Sequence, residues 1–472
     1  MKYKIYILFS FALLFSTHIL SAQVPTACET CTNYASPTGT GSTCTIGTPC
    51  LITTFLNSAT LRVPGAVLCL NDGTYTGSSS FVTVPTAFAG TESQPICIRA
   101  LNEGQATISA GPNSRPVNIL GTRGILWGFN AKGGDNSTLS LGNSSSFWQI
   151  KRMVIKGEGD PDNMISIQGD DHLIDEVAGY GVARYTIAAH TANNLRNTIR
   201  NSWFRWENNQ FLASNPTSTI LMGYGADQLT FENTITNWST APSGRVTSPE
   251  AVGSLWRTQN SKWLGSIFYV LATDTFNPPR VFGGTVDAGS QAQAGNFHPT
   301  TGLLWKHNVA YIDPSHPLFG SKQAIAFSEC SEPGCLAGSG NNIQDSVGVG
   351  GVASTFSSSW TVSNMQLSTV SLEDAIGAGN SLWTDSNPAP GICKKYIGGV
   401  LTNEPMWPWS MNQRLIDFMT AEGDTPVDVT ATMESLFGTI PEICKTAGEP
   451  PAPPSGGATN ETTVVRSLFL MD

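Results

Sequence analysis

The sequence predicts an all-β fold, a right-handed parallel β-helix solenoid with a disulfide-rich N-terminal cap and a small helical C-terminal cap. Three observations predict it. Short apolar strands alternate with Gly, Asn, Asp and Ser turns from about residue 64 to 313. An apolar frame recurs there at roughly two dozen residues, the length of one coil. Ten cysteines crowd toward the two ends of the chain. Composition agrees: only 13% of the 472 residues are charged, and 47 are Gly, which is turn-rich β usage rather than helical usage.

The first element is an export signal. Lys2 and Lys4 precede an apolar stretch from Ile5 to Leu20, and Ser21-Ala22-Gln23 offers a small-residue cleavage site. The stretch is too short to span a bilayer and no second one follows, so residues 1–22 read as a signal peptide and the chain as secreted, extracellular or cell-surface, with no membrane span. An even cysteine count in an exported chain favours disulfides. Cys28-x-x-Cys31 also has zinc-ligand spacing, but no second pair completes a tetrahedral set nearby. Six cysteines lie in the first hundred residues and are expected to pair among themselves around a cap over 23–63. Cys330 with Cys335, and Cys393 with Cys444, are the disulfide candidates of the last third. Within the cap, Leu51 to Val63 carries apolar residues at helical spacing and suits a short amphipathic helix covering the first coil.

The solenoid spans 64–390, and its repeat can be aligned. FWQIKRMVI, HLIDEVAG, NTIRNSWF and LTFENTIT superpose on Ile150, Ile174, Ile199 and Phe231, separated by 24, 25 and 32 residues. Four positions on stand Val154, Ala178, Trp203 and Ile235, again apolar. Trp127 is assigned to the preceding coil; Leu264/Phe268 and Trp305/Val309 extend the frame. These two sets should form two buried columns, because a coil buries its apolar side only against its neighbours. One residue past each anchor come Lys151, Asp175, Arg200 and Glu232, alternating in sign on an outer face. Two residues past come Arg152, Glu176, Asn201 and Asn233, with Asn201 above Asn233 as an asparagine ladder in the bend. Residues 336–360 read as a long loop or irregular coils. The segment 391–446, with Trp407-Pro408-Trp409 and two helix-like stretches, reads as the C-terminal cap; 447–472 is a Pro/Gly-rich linker and tail.

VPGAVLCLNDGTYTG, TESQPICIRALNEGQATISAG and ILWGFN resemble the opening of chondroitinase-B-like and pectate-lyase-like β-helix proteins over residues 51–130. GVARYTI, LRNTIRNSWFRWENN and LTNEPMWPWSMNQR are similar to extracellular right-handed β-helix proteins of unsettled function. The resemblance implies the fold, and glycan chemistry only by association, since β-helices also serve as adhesins and fibres. The Lys and Arg-plus-His-Gly pattern of the lyases is not recognisable. Of the pectin-hydrolase set only Gly169-Asp170-Asp171-His172 has an echo.

Net charge of −10 argues against nucleic acid as a partner. The expected partner is an extracellular polysaccharide or cell-surface glycan. Its candidate binding residues are Arg184, Arg200, Arg205, Trp206, Glu207 and Glu232, because guanidinium forks suit carboxylates and an aromatic face suits a sugar ring. A surface ion-pair network is the plainer account of the same residues. Asp160, Asp162, Asp170 and Asp171 fall on successive turns and could ligate calcium; turn formers bonding their own backbone is the plainer account there. His190, His298 and His307 have no visible triad partners. Two functions stay open, a protein that binds or processes a glycan and a non-catalytic adhesin, matrix or fibre element.

Overall fold

In the computed structural model, residues 23–159, 162–190, 194–208, 217–223, 225–238, 249–256, 258–274, 280–285, 300–317, 319–328, 338–356, 358, 360–376, 395–402, 404 and 406–437 are described. Strands that are short, apolar on one face and separated by turns cannot bury that face within one coil, so they stack. Three parallel sheets result. The first runs from Val67–Leu70 to Thr361–Ser368, and the second from Gly73–Thr76 to Val309–Ile312. The third holds nine strands from Val82–Val84 to Gln323–Ser328. This is a parallel β-helix.

A single left-handed residue turns the chain between the first and second sheets. Arg152, Glu176, Asn201, Asn233, Gly265, His307 and Asp345 all take φ between 49° and 60° on consecutive coils. Asn tolerates that region because its short amide bonds locally. Asn233 Nδ2 donates to Asn201 Oδ1 at 2.9 Å and Asn201 Nδ2 to Asp175 Oδ1 at 3.0 Å, which is the expected ladder.

The anchor column is continuous. Ile150, Ile174, Ile199 and Phe231 pair in register and are fully or almost fully buried in the lumen. Val154, Ala178, Trp203 and Ile235 also pair in register and are buried. They point away from the lumen, however, because Ile155 and Phe204 beside them face inward. Two frame assignments shift by one residue. Ile150 pairs with Leu126, not Trp127, and Phe231 and Ile235 pair with Trp263 and Ile267, not Leu264 and Phe268. Nor does the frame end in a loop. Asn342–Val349 sets Ile343 on Trp305 and Val347 on Val309, and Thr361–Ser368 adds one coil more.

The N-terminal end is closed by α1 (Ile52–Asn57), whose Ile52, Phe55 and Leu56 enter the lumen core. Disulfides Cys28–Cys97, Cys31–Cys69 and Cys44–Cys50 staple it, with Cα separations of 5.6, 5.7 and 4.6 Å. Both thiols of the Cys28-x-x-Cys31 pair are therefore consumed, and the zinc reading falls. Cys330, Cys335, Cys393 and Cys444, and the signal segment 1–22, lie outside the described residues. No helix among the described residues is long and apolar enough to cross a membrane.

Beyond α2 (Leu372–Ile376), the C-terminal segment lies along the flank of the solenoid. Helices α3 (Asn412–Ala421) and α4 (Val429–Phe437) present Leu415, Phe418, Met419, Val429, Met433 and Phe437 to the Val154–Ala178–Trp203–Ile235 column and bury it from outside. Each large apolar side chain removed from water contributes about 1.5–3 kcal/mol. Upstream, Tyr396 N and O clasp the Asn233 amide at 2.8 and 2.7 Å. The Tyr396 hydroxyl meets His307 Nδ1 at 2.5 Å. A Cβ at Gly265 would stand 3.0 Å from the Tyr396 ring, which is why the bend is glycine on that coil.

Candidate functional site

Six residues after each anchor the second sheet carries an outward row: Lys132, Lys156, Tyr180, Arg205, Asn237, Tyr269 and Tyr311, in register on seven consecutive coils. It runs beside the apolar row that α3 and α4 seal. The helices reach this row as well, with Tyr180 edge-on to Phe418 and Tyr311 edge-on to Phe437, and Tyr180, Asn237, Tyr269 and Tyr311 are buried; charge meets the row at its Lys132 and Lys156 end. The turn after α3 brings Glu422 within 2.6 Å of Lys132 Nζ and Asp424 within 2.8 Å of Lys156 Nζ. The Tyr180 hydroxyl donates to Asp424 Oδ2 at 2.8 Å. Burial alone would lower the Lys156 ammonium, but Asp424, Glu422 and Glu158 outweigh it and hold the pKa above its ordinary value.

Arg205 is the centre of the row. Its guanidinium donates to Glu207 and lies over the rings of Trp203 and Tyr180, at 5.5 and 5.9 Å from their centroids. Its Nε is buried and has no hydrogen-bond partner among the described residues. Asp274, in the turn after Ile267–Val270, lies within range of the Arg205 charge and is 5% exposed. Burial pushes its carboxyl up to about 7, against the Leu271 N–H it accepts and the Arg205 charge, and Asp313 adds to the rise. Tyr269 is raised too, first by burial and then by Asp274. A carboxyl that titrates near neutrality beside a guanidinium and a phenol can exchange a proton with a bound group. The charged groups of the row, Lys132, Lys156, Arg205, Glu207 and Asp424, keep between 13% and 29% of their side-chain surface in solvent.

The residues expected from the sequence divide. Arg205 and Glu207 stand in this row. Trp206 does not: it alternates inward, is fully buried, donates from Nε1 to the Ala183 carbonyl and packs on Trp238, so its ring is closed to any ligand. Arg200 and Glu232 lie in the charge column Lys151–Asp175–Arg200–Glu232, which is in register as expected. That column is largely closed over. Arg200 binds Asp175 at 2.8 Å, Asp175 is buried and held below its ordinary pKa by Arg200 and Lys151 against the effect of burial, and Glu232 accepts the Gly399 N–H at 2.7 Å. Burial leaves Glu232 above its ordinary pKa. Arg184 reaches Asp162 at 3.3 Å, on the far side of the second sheet's strand ends.

The carboxylates proposed for calcium are spoken for. Asp170 accepts the Leu195 N–H at 2.9 Å and Asp171 holds Arg196 with both oxygens at 2.7 and 2.8 Å. Asp162 pairs with Arg184, and Asp160 lies outside the described residues. Among the described residues no three metal-capable side chains converge. Lys156, Tyr180, Tyr269 and Asp274 were not singled out in the sequence. Three of them follow from the repeat, six past the anchors; Asp274 carries no sequence signal, because its burial is set by what packs around its turn.

No protein-family profile matches the sequence, and no curated protein sequence is similar to it. Among solved structures, pectate lyase Pel9A is similar at 15% identity over 75% of this chain and 82% of its own, with a TM-score of 0.45. An alginate lyase from Paenibacillus sp. str. FPU-7 is similar at 15% identity over 66% of this chain and 95% of its own, at 0.44. A rhamnogalacturonan lyase is similar at 14% identity over 76% and 94%, at 0.43.

Proposed function

We propose that the protein is an exported β-helix protein that binds an extended extracellular polysaccharide across its second-sheet flank and processes it there. Three disulfides in the N-terminal cap suit an oxidising, extracellular setting. One observation carries the rest: a row of three cations, three phenols and Asn237 crosses seven coils, and a buried Asp274, pushed up to about 7, feels the Arg205 charge. Coils stack at about 4.8 Å, close to the rise of a sugar unit in an extended chain, so one ligand meets several coils. Arg205, which keeps 13% of its side-chain surface in solvent, receives a carboxyl or hydroxyl of the ligand. Asp274 exchanges the proton.

The competing reading, a stiff non-catalytic spacer, has its own support: Lys132, Lys156, Arg200 and Arg205 each already hold a carboxylate of this chain. A screen of uronate and neutral polysaccharides, following unsaturated ends by ultraviolet absorbance and reducing ends by titration, separates the two. Turnover that is lost in both Arg205→Ala and Asp274→Asn, with neither thermal midpoint lowered, supports processing. Absence of turnover and of retardation on every polymer leaves the spacer.

A further inference from the structure

A second corner of the coil, on the opposite edge of the first sheet, is also turned by left-handed residues. Arg123, Phe147, Asp171 and Arg196 occupy it on four consecutive coils, with φ between 57° and 58°. Farther along the same corner stand Gln228, Asn260, Gly302 and Gly340, of which Asn and Gly take positive φ at low cost. Arg and Phe do not, and holding them there costs free energy that the turn itself does not require.

These four, with Glu92 on the rim, line an open pocket of about 340 Å³. Arg196 is neutralised by the two-pronged contact with Asp171. Arg123 is not neutralised. Its guanidinium lies 4.2 Å from the centroid of the Phe147 ring, and among the described residues it makes no ion pair and no side-chain hydrogen bond. A guanidinium stacked over an aromatic ring, lining a pocket and meeting no carboxylate among the described residues, suits an oxyanion.

We propose that this corner is a ligand site in its own right, which takes the carboxylate or sulfate group of an anionic glycan on Arg123. The chain of that glycan runs along the corner toward Arg196, about 14 Å away at three coil spacings. The site is separate from the second-sheet flank: it uses none of the residues of the Lys132–Tyr311 row and does not depend on any turnover there.

Affinity electrophoresis of the full chain through gels holding polygalacturonate, dextran sulfate or neutral dextran tests it. Arg123→Asn removes the guanidinium while keeping a residue suited to positive φ, and Arg123→Lys keeps the charge without the fork. Expected is retardation of the parent chain by an anionic polymer. Arg123→Asn should weaken it about tenfold or more, the loss of one charge-assisted contact, with only partial recovery in Arg123→Lys. Retardation by polygalacturonate alone assigns the carboxylate, and by dextran sulfate alone the sulfate. The effect should persist in an Arg205→Ala background, which separates this site from the flank. Equal retardation of the parent and Arg123→Asn overturns the proposal, as does retardation by neutral dextran or by no polymer at all.

Discussion

Two rows of side chains leave the second sheet two residues apart on the same strands, and they are covered differently. Val154, Ala178, Trp203 and Ile235 point outward and are sealed under α3 and α4. Lys156, Tyr180, Arg205 and Asn237 point outward beside them; Lys156 and Tyr180 meet Asp424 in the turn after α3, and Arg205 pairs with Glu207 of its own strand. The strands treat both rows alike. What differs is the covering: apolar throughout over the first row, but over the second apolar at Tyr180 and Tyr311, where Phe418 and Phe437 pack, and acidic at Lys132 and Lys156. Outward on a β-helix therefore does not mean exposed: the C-terminal segment makes a second core on the outside of the solenoid.

The largest way to break this comparison is to empty the sealed row. Trp203 is fully buried, 6.5 Å from the Trp409 ring, and Trp203→Ala should destabilise the protein by about 3–5 kcal/mol in denaturant unfolding. A change under about 1 kcal/mol would mean that the helices do not rest on that row.

A smaller effect comes from the half-closed charge column. Arg200→Ala leaves the buried Asp175 with only Lys151 at 4.0 Å and the Asn201 amide. The expected cost is about 2–3 kcal/mol, below the 3–5 of a wholly buried pair. A thermal midpoint equal to that of the parent chain would return Arg200 to the list of ligand-binding residues.

The third effect sharpens the comparison through pH. Asp274 has a raised carboxyl pKa, about 7, so the folded state holds its proton more tightly than the unfolded chain does. Its stabilising contribution is then complete below the unfolded value and is lost as pH rises toward 7. Asp274→Asn should match the parent near pH 4 and be the more stable of the two near pH 8. Parallel midpoint curves across that range would remove Asp274 from the proton-exchange role.

The sequence was most legible where alternation had contrast. Ile199 beside Arg200, and Phe231 beside Glu232, announce which residue faces in, and both anchors are right. The frame slipped where contrast was missing. In Trp263-Leu264 and Ile267-Phe268 both members are apolar because the outward ones are also covered, so a period of two has nothing to distinguish. Leu126-Trp127 is the same case: Trp127 faces out, into the cluster of Cys28, Cys69 and Cys97. Trp206 is a different error, since Arg205 beside it marks it as inward.

The repeat length, the anchor column, the asparagine ladder and the clustering of cysteines that close the first coils were determined by the sequence alone. Each is a local rule, applied again every coil, so a single strand contains its information. Tertiary structure decided the rest: that the C-terminal helices lie on the flank, that Glu232 and Asp175 are closed over, that burial pushes the Asp274 carboxyl up to about 7 and that Arg123 meets no carboxylate among the described residues. Those properties depend on desolvation and on partners hundreds of residues away, such as Asp424 on Lys156 and Gly399 on Glu232, and no spacing rule along the chain encodes which surface a distant segment will cover.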